Sequence, residues 1–441
     1  MDADSGTVGV SGNRYRVWQP LTGVMKRILL LLPTTAYRNE AFLAAGRRLD
    51  VEIITAADYC HQLAPAWGLD PIMAVHFDRP GAALETVLRS LKHKPDAVLA
   101  VDDSGLELAA RLNEALGLLA NPPDAVRRLR DKLAFRQMQQ ERGFLCPEFR
   151  HLPSDADPAR LLAQLRWPVV VKARRLSGSR GVIRADNARE FLQAVSRVRG
   201  IQNKADRDAA SLGLVVEDFI AGREYALEGI LDRGELRVLA LFDKPDPLDG
   251  PYFEETIYVT PSRLPDRTQQ EIHRTVQRAC SQAGLITGPV HAEMRVNRDG
   301  VWLLEVAARS IGGLCGMALH HALGMTLEEL ILRQALNQPV ALSASRDSAG
   351  VMMIPILRRG IYQGVHDLES ALEVPGITGI RITAQPGQII APPPEGASYL
   401  GFIFSLCATP AEAEAALRQA HAMLLFDVQP EYKVQEPASE R

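Results

Sequence analysis

Three short apolar runs near the start of the chain constrain its fold most. They cover 26–32 (KRILLLL), 51–55 (VEIIT) and 97–101 (AVLAV). Stretches typical of helices alternate with them, at 38–48, 82–93 and 104–117. Strands that alternate with helices form a parallel sheet covered on both faces. The first run is followed by PTTAYR rather than by GxGxxG, so a dinucleotide site is not expected there.

Composition narrows the class of partner. The chain has 441 residues, enough for about two to four domains, and its net charge of -3 is close to neutral. Neither nucleic acid nor an anionic membrane is therefore expected to bind, and small molecules are the expected partners. The five cysteines include no CxxC pair, which favours a reducing compartment. No apolar run approaches the ~20 residues of a membrane span, so we expect a cytoplasmic enzyme or binding protein.

The rest of the chain predicts a mixed α+β arrangement. One long helix is expected at 124–142 and further helices at 188–198, 269–284, 326–338 and 410–424. Strands are expected at 167–173, 213–220, 223–231, 290–296 and 301–307, with a linker at 341–349. A Gly/Ser loop separates the first of these strands from the helix at 188–198.

The segment HAEMRVNRDGVWLLEVAAR at 291–309 predicts a β-hairpin. Its turn indicates a three-residue loop that ends in glycine and pairs Asn297 with Val301. This register places Glu293 opposite Glu305. The opposite face is then uniformly apolar and consists of Ala292, Met294, Val296, Trp302, Leu304 and Val306.

Two carboxylates that face each other across a hairpin repel, so a bridging divalent cation would stabilise them. Mg²⁺ is the expected ion, with Mn²⁺ as an alternative, because Mg²⁺ is bound by one or two carboxylates together with substrate phosphates. Glu293 and Glu305 are the candidate ligands, and Arg309 lies further along the same side. The alternative is that these side chains are solvated surface charges.

Lys172 ends the apolar strand WPVVVK, although a lysine is rarely buried without a partner. The loop LSGSRG begins shortly after it, and its small residues allow backbone N–H groups to approach phosphate. The loop is not a P-loop, because GxxxxGK[ST] is absent. A phosphate clamp is one interpretation, and a flexible hairpin loop beside a solvated lysine is the other. The candidate contacts are Lys172, Ser177, Gly178, Ser179 and Gly181.

The stretch VVEDFIAGREYALE at 215–228 is a further candidate binding segment. Extended backbone of this kind can hydrogen-bond to an adenine edge, and a carboxylate can accept hydrogen bonds from ribose hydroxyls. The candidate contacts are Glu217, Phe219, Ile220 and Glu224. The alternative is an edge strand with exposed acidic side chains.

In this order the segments resemble the ATP-grasp superfamily. Lys132 in DKLAFRQ is similar to the first ATP lysine of the family, and Lys172 is similar to the second. VVEDFIAGREY resembles the segment that receives adenine and ribose, and HAEMRV with LLEVAAR resembles the pair of strands that carries the metal carboxylates. The likeness covers roughly 25–340, and its specificity comes from the combination of motifs.

The resemblance implies α/β and α+β structure in an ATP-grasp fold. An N-terminal parallel α/β domain would precede a central two-lobed ATP-grasp domain and a small C-terminal α+β domain. The predicted limits are a disordered leader at 1–24, the N-terminal domain at 25–122, the ATP-grasp domain at 123–340 with a mobile lobe at about 145–220, the C-terminal domain at 350–433 and a tail at 434–441. A homodimer is compatible with this superfamily.

EVAARSIGG and FDKPDPLDGPYFEETIYVTPS at 242–262 are most similar to the L-amino acid ligases, which join the carboxylate of one amino acid to the amine of another. The resemblance implies that ATP phosphorylates a substrate carboxylate and that an amine then attacks the acyl phosphate. Arg309 would bind the carboxylate and the developing oxyanion. Glu255, Tyr258, Gly312 and Gly313 would line the substrate site.

Several alternatives stay open. One is an ATP-grasp ligase that uses a non-amino-acid carboxylate or amine in natural-product biosynthesis, and another is a catalytically dead ATP-binding regulator. Ala307 stands where an Asn metal ligand is common, so the number of ions is open. Glu255 could instead be a loop charge, and His291 a satisfied core histidine.

Overall fold

The computed structural model describes residues 25–34, 36–58, 73–205, 211–340, 342, 347–396 and 398–431. The predicted leader at 1–24 and tail at 434–441 lie outside these ranges. Within them, no helix is both long and apolar enough to cross a bilayer.

A parallel sheet of four strands forms the N-terminal part. Its strands are β1 (Arg27–Leu32), β2 (Glu52–Ala57), β3 (Met73–Ala74) and β4 (Ala97–Ala100), and its helices are α1 (Asn39–Arg48), α2 (Pro80–Ser90) and α3 (Leu106–Ala115). The strand order is β3-β2-β1-β4, and every pairing is parallel. The predicted parallel α/β arrangement is thereby confirmed. Because β1 is apolar on both faces, its residues from Ile28 to Leu32 are buried.

The prediction of a single helix at 124–142 is wrong in one respect, because the structure has two helices there. These are α4 (Pro123–Arg130) and α5 (Lys132–Glu141), separated by Asp131. Asp131 adopts extended backbone angles, and its carboxylate caps α5 by accepting from Leu133 N at 3.0 Å. It also accepts from Arg174 Nε at 2.9 Å. The break places Lys132 in the first turn of α5.

A small antiparallel sheet follows. Its strands are β5 (Phe149–Leu152), β6 (Val169–Ala173), β7 (Val182–Ala185) and β8 (Leu214–Asp218), in the order β5-β8-β6-β7. Helix α6 (Ala188–Ala205) contacts β6 and β7, and a short helical turn spans Pro158–Gln164. Phe191 and Val198 of α6 belong to the same hydrophobic core as Val169 and Val171 of β6. We call this unit the small lobe.

The largest sheet has eight strands. They are β9 (Arg223–Asp232), β10 (Glu235–Asp243), β11 (Ile257–Thr260), β12 (Gly288–Asn297), β13 (Gly300–Ala307), β14 (Ser348–Ile354), β16 (Ile377–Ile382) and β18 (Gly401–Cys407). The order is β13-β12-β9-β10-β11-β14-β18-β16. Because β11 pairs with β14, this sheet crosses the boundary predicted near 340–350, and the domain limits stay predictions.

The remaining elements complete the C-terminal half. Strands β15 (Gly360–His366), β17 (Ile389–Ile390) and β19 (Leu425–Gln429) form a third antiparallel sheet. The helices are α7 (Asp266–Ala283), α8 (His320–Leu323), α9 (Leu327–Ala335), α10 (Leu368–Leu372) and α11 (Pro410–Met423), with a helical turn at Cys315–Leu319.

The hairpin of β12 and β13 pairs Glu293 with Glu305, as predicted. The predicted three-residue loop is wrong, because Asn297 pairs with Gly300. The shorter turn shifts the register by one residue, and a bulge at Leu304 shifts it back before the carboxylates.

The bulge also changes which side chains of β13 face the core. Val301 and Leu303 are buried there, whereas Trp302 is half-buried and Leu304 lines a cavity. The prediction that Trp302 and Leu304 belong to the apolar face is therefore wrong.

Candidate active site

One cavity of about 670 Å³ lies where the small lobe, the eight-stranded sheet and the carboxyl edge of the parallel sheet meet. It is lined by nearly every site residue predicted from the sequence: Lys132, Lys172, Ser177, Gly178, Ser179, Glu217, Phe219, Ile220, Glu224, Glu255, Tyr258, Glu293, Glu305, Arg309, Gly312 and Gly313. Gly181 is absent from the lining. Its N–H donates to Pro394 C=O at 3.1 Å, and a Cβ there would lie 3.1 Å from Ala173 Cβ.

Three side chains form a buried ionic group that we call the Lys172 network. Lys172 is the last residue but one of β6, and its Nζ lies 2.5 Å from Oε1 of Glu217 on the neighbouring strand β8. Arg136 from α5 donates from Nε to Glu217 Oε2 at 2.8 Å and from Nη2 to Oε1 at 3.0 Å. Burial opposes ionisation of Glu217, but the two cations outweigh it and lower the pKa of Glu217 to about 2.

The Lys172 network gives its side of the cavity an excess of positive charge. Burial, together with repulsion from Arg136 and Lys132, lowers the pKa of Lys172 despite its contact with Glu217. Lys132 Nζ donates to Leu176 C=O at 2.5 Å, which ties α5 to the start of the Gly/Ser loop. An anion in the cavity would relieve this imbalance. Both oxygens of Glu217 are engaged by cations, so its contact with ATP stays a prediction.

A second ionic group surrounds Lys244, which directly follows β10. Its Nζ lies 2.8 Å from Glu224 Oε1, 2.6 Å from Glu255 Oε1 and 3.2 Å from Glu293 Oε1. We call these four residues the Lys244 cluster. Burial opposes the ammonium, but the three carboxylates raise the pKa of Lys244 well above its ordinary value. Burial and the charge of Glu293 raise the pKa of Glu255 to about 7.

Two sets of carboxylates beside the cavity are candidates for holding a cation. Carboxylate oxygens of Glu224, Glu255 and Glu293 lie within 4.8 Å of one another, but the Lys244 ammonium already occupies the space between them. Glu293 and Glu305 instead face each other beside the cavity, and the Glu305 side chain is 30% exposed. That pair fits a divalent ion bound together with phosphate oxygens.

His291 connects Glu293 with a further buried carboxylate, Glu228. Its Nδ1 lies 3.2 Å from Glu228 Oε2, and its Nε2 lies 3.3 Å from Glu293 Oε1. Burial opposes its protonation, but hydrogen bonds to both carboxylates raise the pKa of His291 to about 9. His291 is thus both a satisfied buried histidine and an orienting contact of Glu293.

Arg309 enters the cavity next to the carboxylate hairpin. Its Nε donates to Asp103 Oδ2 at 2.7 Å, and its Nη2 lies 3.5 Å from Glu305 Oε1. Burial opposes the charge, but these carboxylates raise the pKa of Arg309 above its ordinary value. Gly313 follows with φ of +59°, and a Cβ there would lie 2.9 Å from Phe402, so glycine is required.

Sequence reasoning missed Arg136, Lys244 and Asp103. Lys244 carries a signal close to the one that identified Lys172, since it follows the apolar run VLALF after a single aspartate. Asp103 follows β4 at the carboxyl edge of the parallel sheet, where α/β sheets bind ligands. Arg136 is an ordinary-looking helix residue, and only the fold reveals its partner.

Comparison with known proteins agrees with this geometry. The family model of the ATP-grasp domain matches residues 165–318, from the strand that bears Lys172 through the carboxylate hairpin. Residues 165–318 of this chain are thus an ATP-grasp domain. A second model, the L-amino acid ligase C-terminal domain 2, matches residues 352–429.

The chain is also similar to named proteins, one of them of known structure. The crystal structure of L-amino acid ligase from Bacillus licheniformis matches with a TM-score of 0.80 and 26% identity, over 92% of this chain and 100% of that one. Dapdiamide A synthase of Enterobacter agglomerans is 25% identical over 69% of this chain and 74% of its own length. Alanine–anticapsin ligase of Bacillus subtilis is 24% identical over 65% of this chain and 64% of its own length.

Proposed function

We propose that this ATP-grasp ligase uses ATP to form an amide bond between two small molecules. The carboxylate substrate is an L-amino acid, the amine is a second amino acid, and ADP and phosphate are released. The observation that carries this proposal is a single cavity that joins the Lys172 network, the opposed carboxylates Glu293 and Glu305, and Arg309. The similarity to L-amino acid ligase supports the choice of substrates.

The phosphates of ATP would bind beside Lys132 and Lys172, under the loop at 177–180. Phosphoryl transfer depends almost entirely on positioning and charge stabilisation, which fixed buried cations supply. Glu293 and Glu305 would hold Mg²⁺, which neutralises charge on a transferring phosphoryl group when it is bound. Phe219, Ile220 and Glu224 line the same cavity and are proposed to face the nucleoside.

The chemistry has two steps. A substrate carboxylate oxygen attacks the terminal phosphorus of ATP, the bond to ADP breaks, and an acyl phosphate forms. The amine nitrogen then attacks the acyl carbon, loses a proton, and phosphate leaves as the amide forms. The planar guanidinium of Arg309 suits both the substrate carboxylate and the oxyanion that develops from it.

The ammonium group of the carboxylate substrate is proposed to lie near Glu255 and Tyr258. Glu255 lines the cavity, and Tyr258 OH donates to Glu255 Oε1 at 2.7 Å. Met353 and Tyr399 supply apolar surface to the same cavity, and Gly312 and Gly313 let the backbone approach. A volume of about 670 Å³ lies within the usual range of small-molecule sites.

A second candidate is a ligase of natural-product biosynthesis that takes a non-amino-acid carboxylate or amine. The similarity to dapdiamide A synthase favours it. The two candidates share the cavity and the chemistry, and they differ only in the substrates.

The test is phosphate release from ATP and Mg²⁺ against amino acids, singly and in pairs, with mass spectrometry of the products. Release that requires two amino acids, together with a dipeptide mass, is expected. Release with one amino acid would indicate an acyl phosphate lost to water or to another acceptor. ATP binding without release from any pair would favour the natural-product ligase or a dead regulator. The homodimer and the cytoplasmic location stay predictions.

A further inference from the structure

The segment 309–313 carries Arg309 and the two glycines into the cavity. It lies beyond Ala307, the last residue of β13 that pairs with β12. Hydrogen bonds of the strand ladder therefore do not fix its geometry. Catalytic groups need supports that hold them close to the productive geometry.

Charged side chains hold the backbone of this segment from both sides. The Ile311 N–H donates to Glu228, with both carboxylate oxygens 3.0 Å away. The Ile311 C=O accepts from Arg38 Nη1 at 3.0 Å, and the same nitrogen donates to Ser310 Oγ at 2.5 Å. Both polar backbone groups of one residue are thus bound by ions.

Each of these ions is anchored in a different part of the fold. Glu228 in β9 is held by His291, and Arg38 before α1 donates from Nε to Glu328 Oε1 of α9 at 2.8 Å. Glu228 is fully buried, and Arg38 is 5% exposed. Desolvation of buried ions opposes folding, so such ions stabilise a core less well than apolar side chains of similar volume. Their hydrogen bonds are strong and directional, which suits the fixing of a backbone.

We propose that Glu228 and Arg38 are positioning residues that fix the segment 309–313 for amide formation. They act through the peptide groups around Ile311, while Asp103 holds the Arg309 guanidinium. The acyl group is thereby held where the amine, rather than water, attacks it. This inference rests on the proposed function.

We call Glu228 and Arg38, which bind the N–H and the C=O of Ile311, the clamp. The variants Glu228→Gln and Arg38→Met test its two sides separately. In each, kcat for product formation should fall about tenfold or more, because small displacements of catalytic groups are costly. The KM for ATP should stay unchanged, and the ADP formed per product should rise above the wild-type ratio. Asn113→Ala is the matched control, since Asn113 holds the backbone N–H and C=O of Val98 at 3.1 and 2.8 Å.

Amide hydrogen exchange gives a reading that does not depend on activity. Both variants should exchange faster at 309–313, whereas the control should exchange faster around Val98 with its kcat and coupling ratio unchanged. Unchanged exchange at 309–313, or a normal kcat and coupling ratio in both folded variants, would overturn the clamp. A wild type that makes no product from any substrate pair would refute the proposed function instead, and exchange at 309–313 would still decide the clamp.

Discussion

Lys172 and Lys244 both lie close to the end of an apolar run, yet the fold surrounds them differently, and of the two only Lys172 lines the cavity. Lys172 shares one carboxylate, Glu217, with Arg136. Lys244 lies among three carboxylates. Burial lowers the pKa of Lys172, whereas the carboxylates raise the pKa of Lys244 well above its ordinary value.

The difference indicates two separate uses of a buried lysine. The charge of Lys172 is incompletely neutralised, so that side of the cavity can accept phosphate. The charge of Lys244 is more than neutralised, so it holds acidic side chains together that would otherwise repel. The first arrangement suits the proposed phosphate site, and the second holds the acidic side chains of the cavity together.

The variant Lys244→Met should show the largest effect of the comparison. It leaves three carboxylates facing one another, and removal of one partner from a buried ionic group costs about 3–5 kcal/mol. Urea unfolding measures the loss. The double variant Lys244→Met, Glu255→Gln should recover part of it, and Lys94→Met, at an exposed position, is the control. If Lys244→Met unfolded with the same free energy as the wild type, the stabilising role that distinguishes Lys244 from Lys172 would be wrong.

The variant Lys172→Met should act on turnover rather than on stability. Arg136 keeps both contacts to Glu217, so the buried carboxylate remains paired. We expect kcat for phosphate release to fall about 10²–10³-fold, as is typical when one preorganised donor is removed. Thermal unfolding should change little. Lys204→Met, at an exposed position of the small lobe, is the control, and near wild-type turnover in Lys172→Met would contradict a phosphate role.

Arg309 extends the comparison to a third cation, held by Asp103 and Glu305. Arg309→Lys keeps the charge but loses the planar fork. We expect kcat for product formation to fall about 10²-fold through misplacement of the reacting group, with the KM for ATP unchanged. Steady-state kinetics measures both, with the pair of amino acids that gives product with the wild type. Product formed at the wild-type rate would rule out the role proposed for Arg309.

Glu217 predicts a pH dependence on the Lys172 side. Its pKa is lowered from 4.5 to about 2 by cations that outweigh burial. The stabilisation is therefore complete above pH 4.5 and is lost as the pH falls through about 2. The shift corresponds to about 3 kcal/mol. Urea unfolding gives the free energy of unfolding of the wild type and of Glu217→Gln. The difference between the two values should become smaller as the pH falls below 4.5. Glu235→Gln, at an exposed position, is the control, and a difference independent of pH would contradict the pairing.

The sequence predicted those parts of the site whose residues are close along the chain. Glu293 and Glu305 pair as predicted because the bulge at Leu304 compensates for a turn that was predicted one residue too long. Lys172 was predicted because it ends an apolar strand. Lys244 was not, because strand β10 was not assigned from the sequence.

The rest depends on contacts between distant segments. Strands β12, β9, β10 and β11 are neighbours in that order, so carboxylates from separate segments meet at Lys244. Arg38 and Ile311 lie 273 residues apart. No local pattern encodes such pairs, since each ion is buried only after the sheet has assembled.

The smallest effect is expected for a charge pair outside the cavity. Arg197 of α6 and Glu395 form a two-pronged ion pair at 2.6 and 2.8 Å, next to the contact between Gly181 and Pro394. Both side chains are 41% exposed, so Glu395→Gln should cost less than about 1 kcal/mol, and less still in high salt. The KM for ATP, measured at low and high salt, should change little. A loss of turnover as large as that of Lys172→Met would mean that docking of the small lobe, rather than the charge of Lys172, limits the reaction.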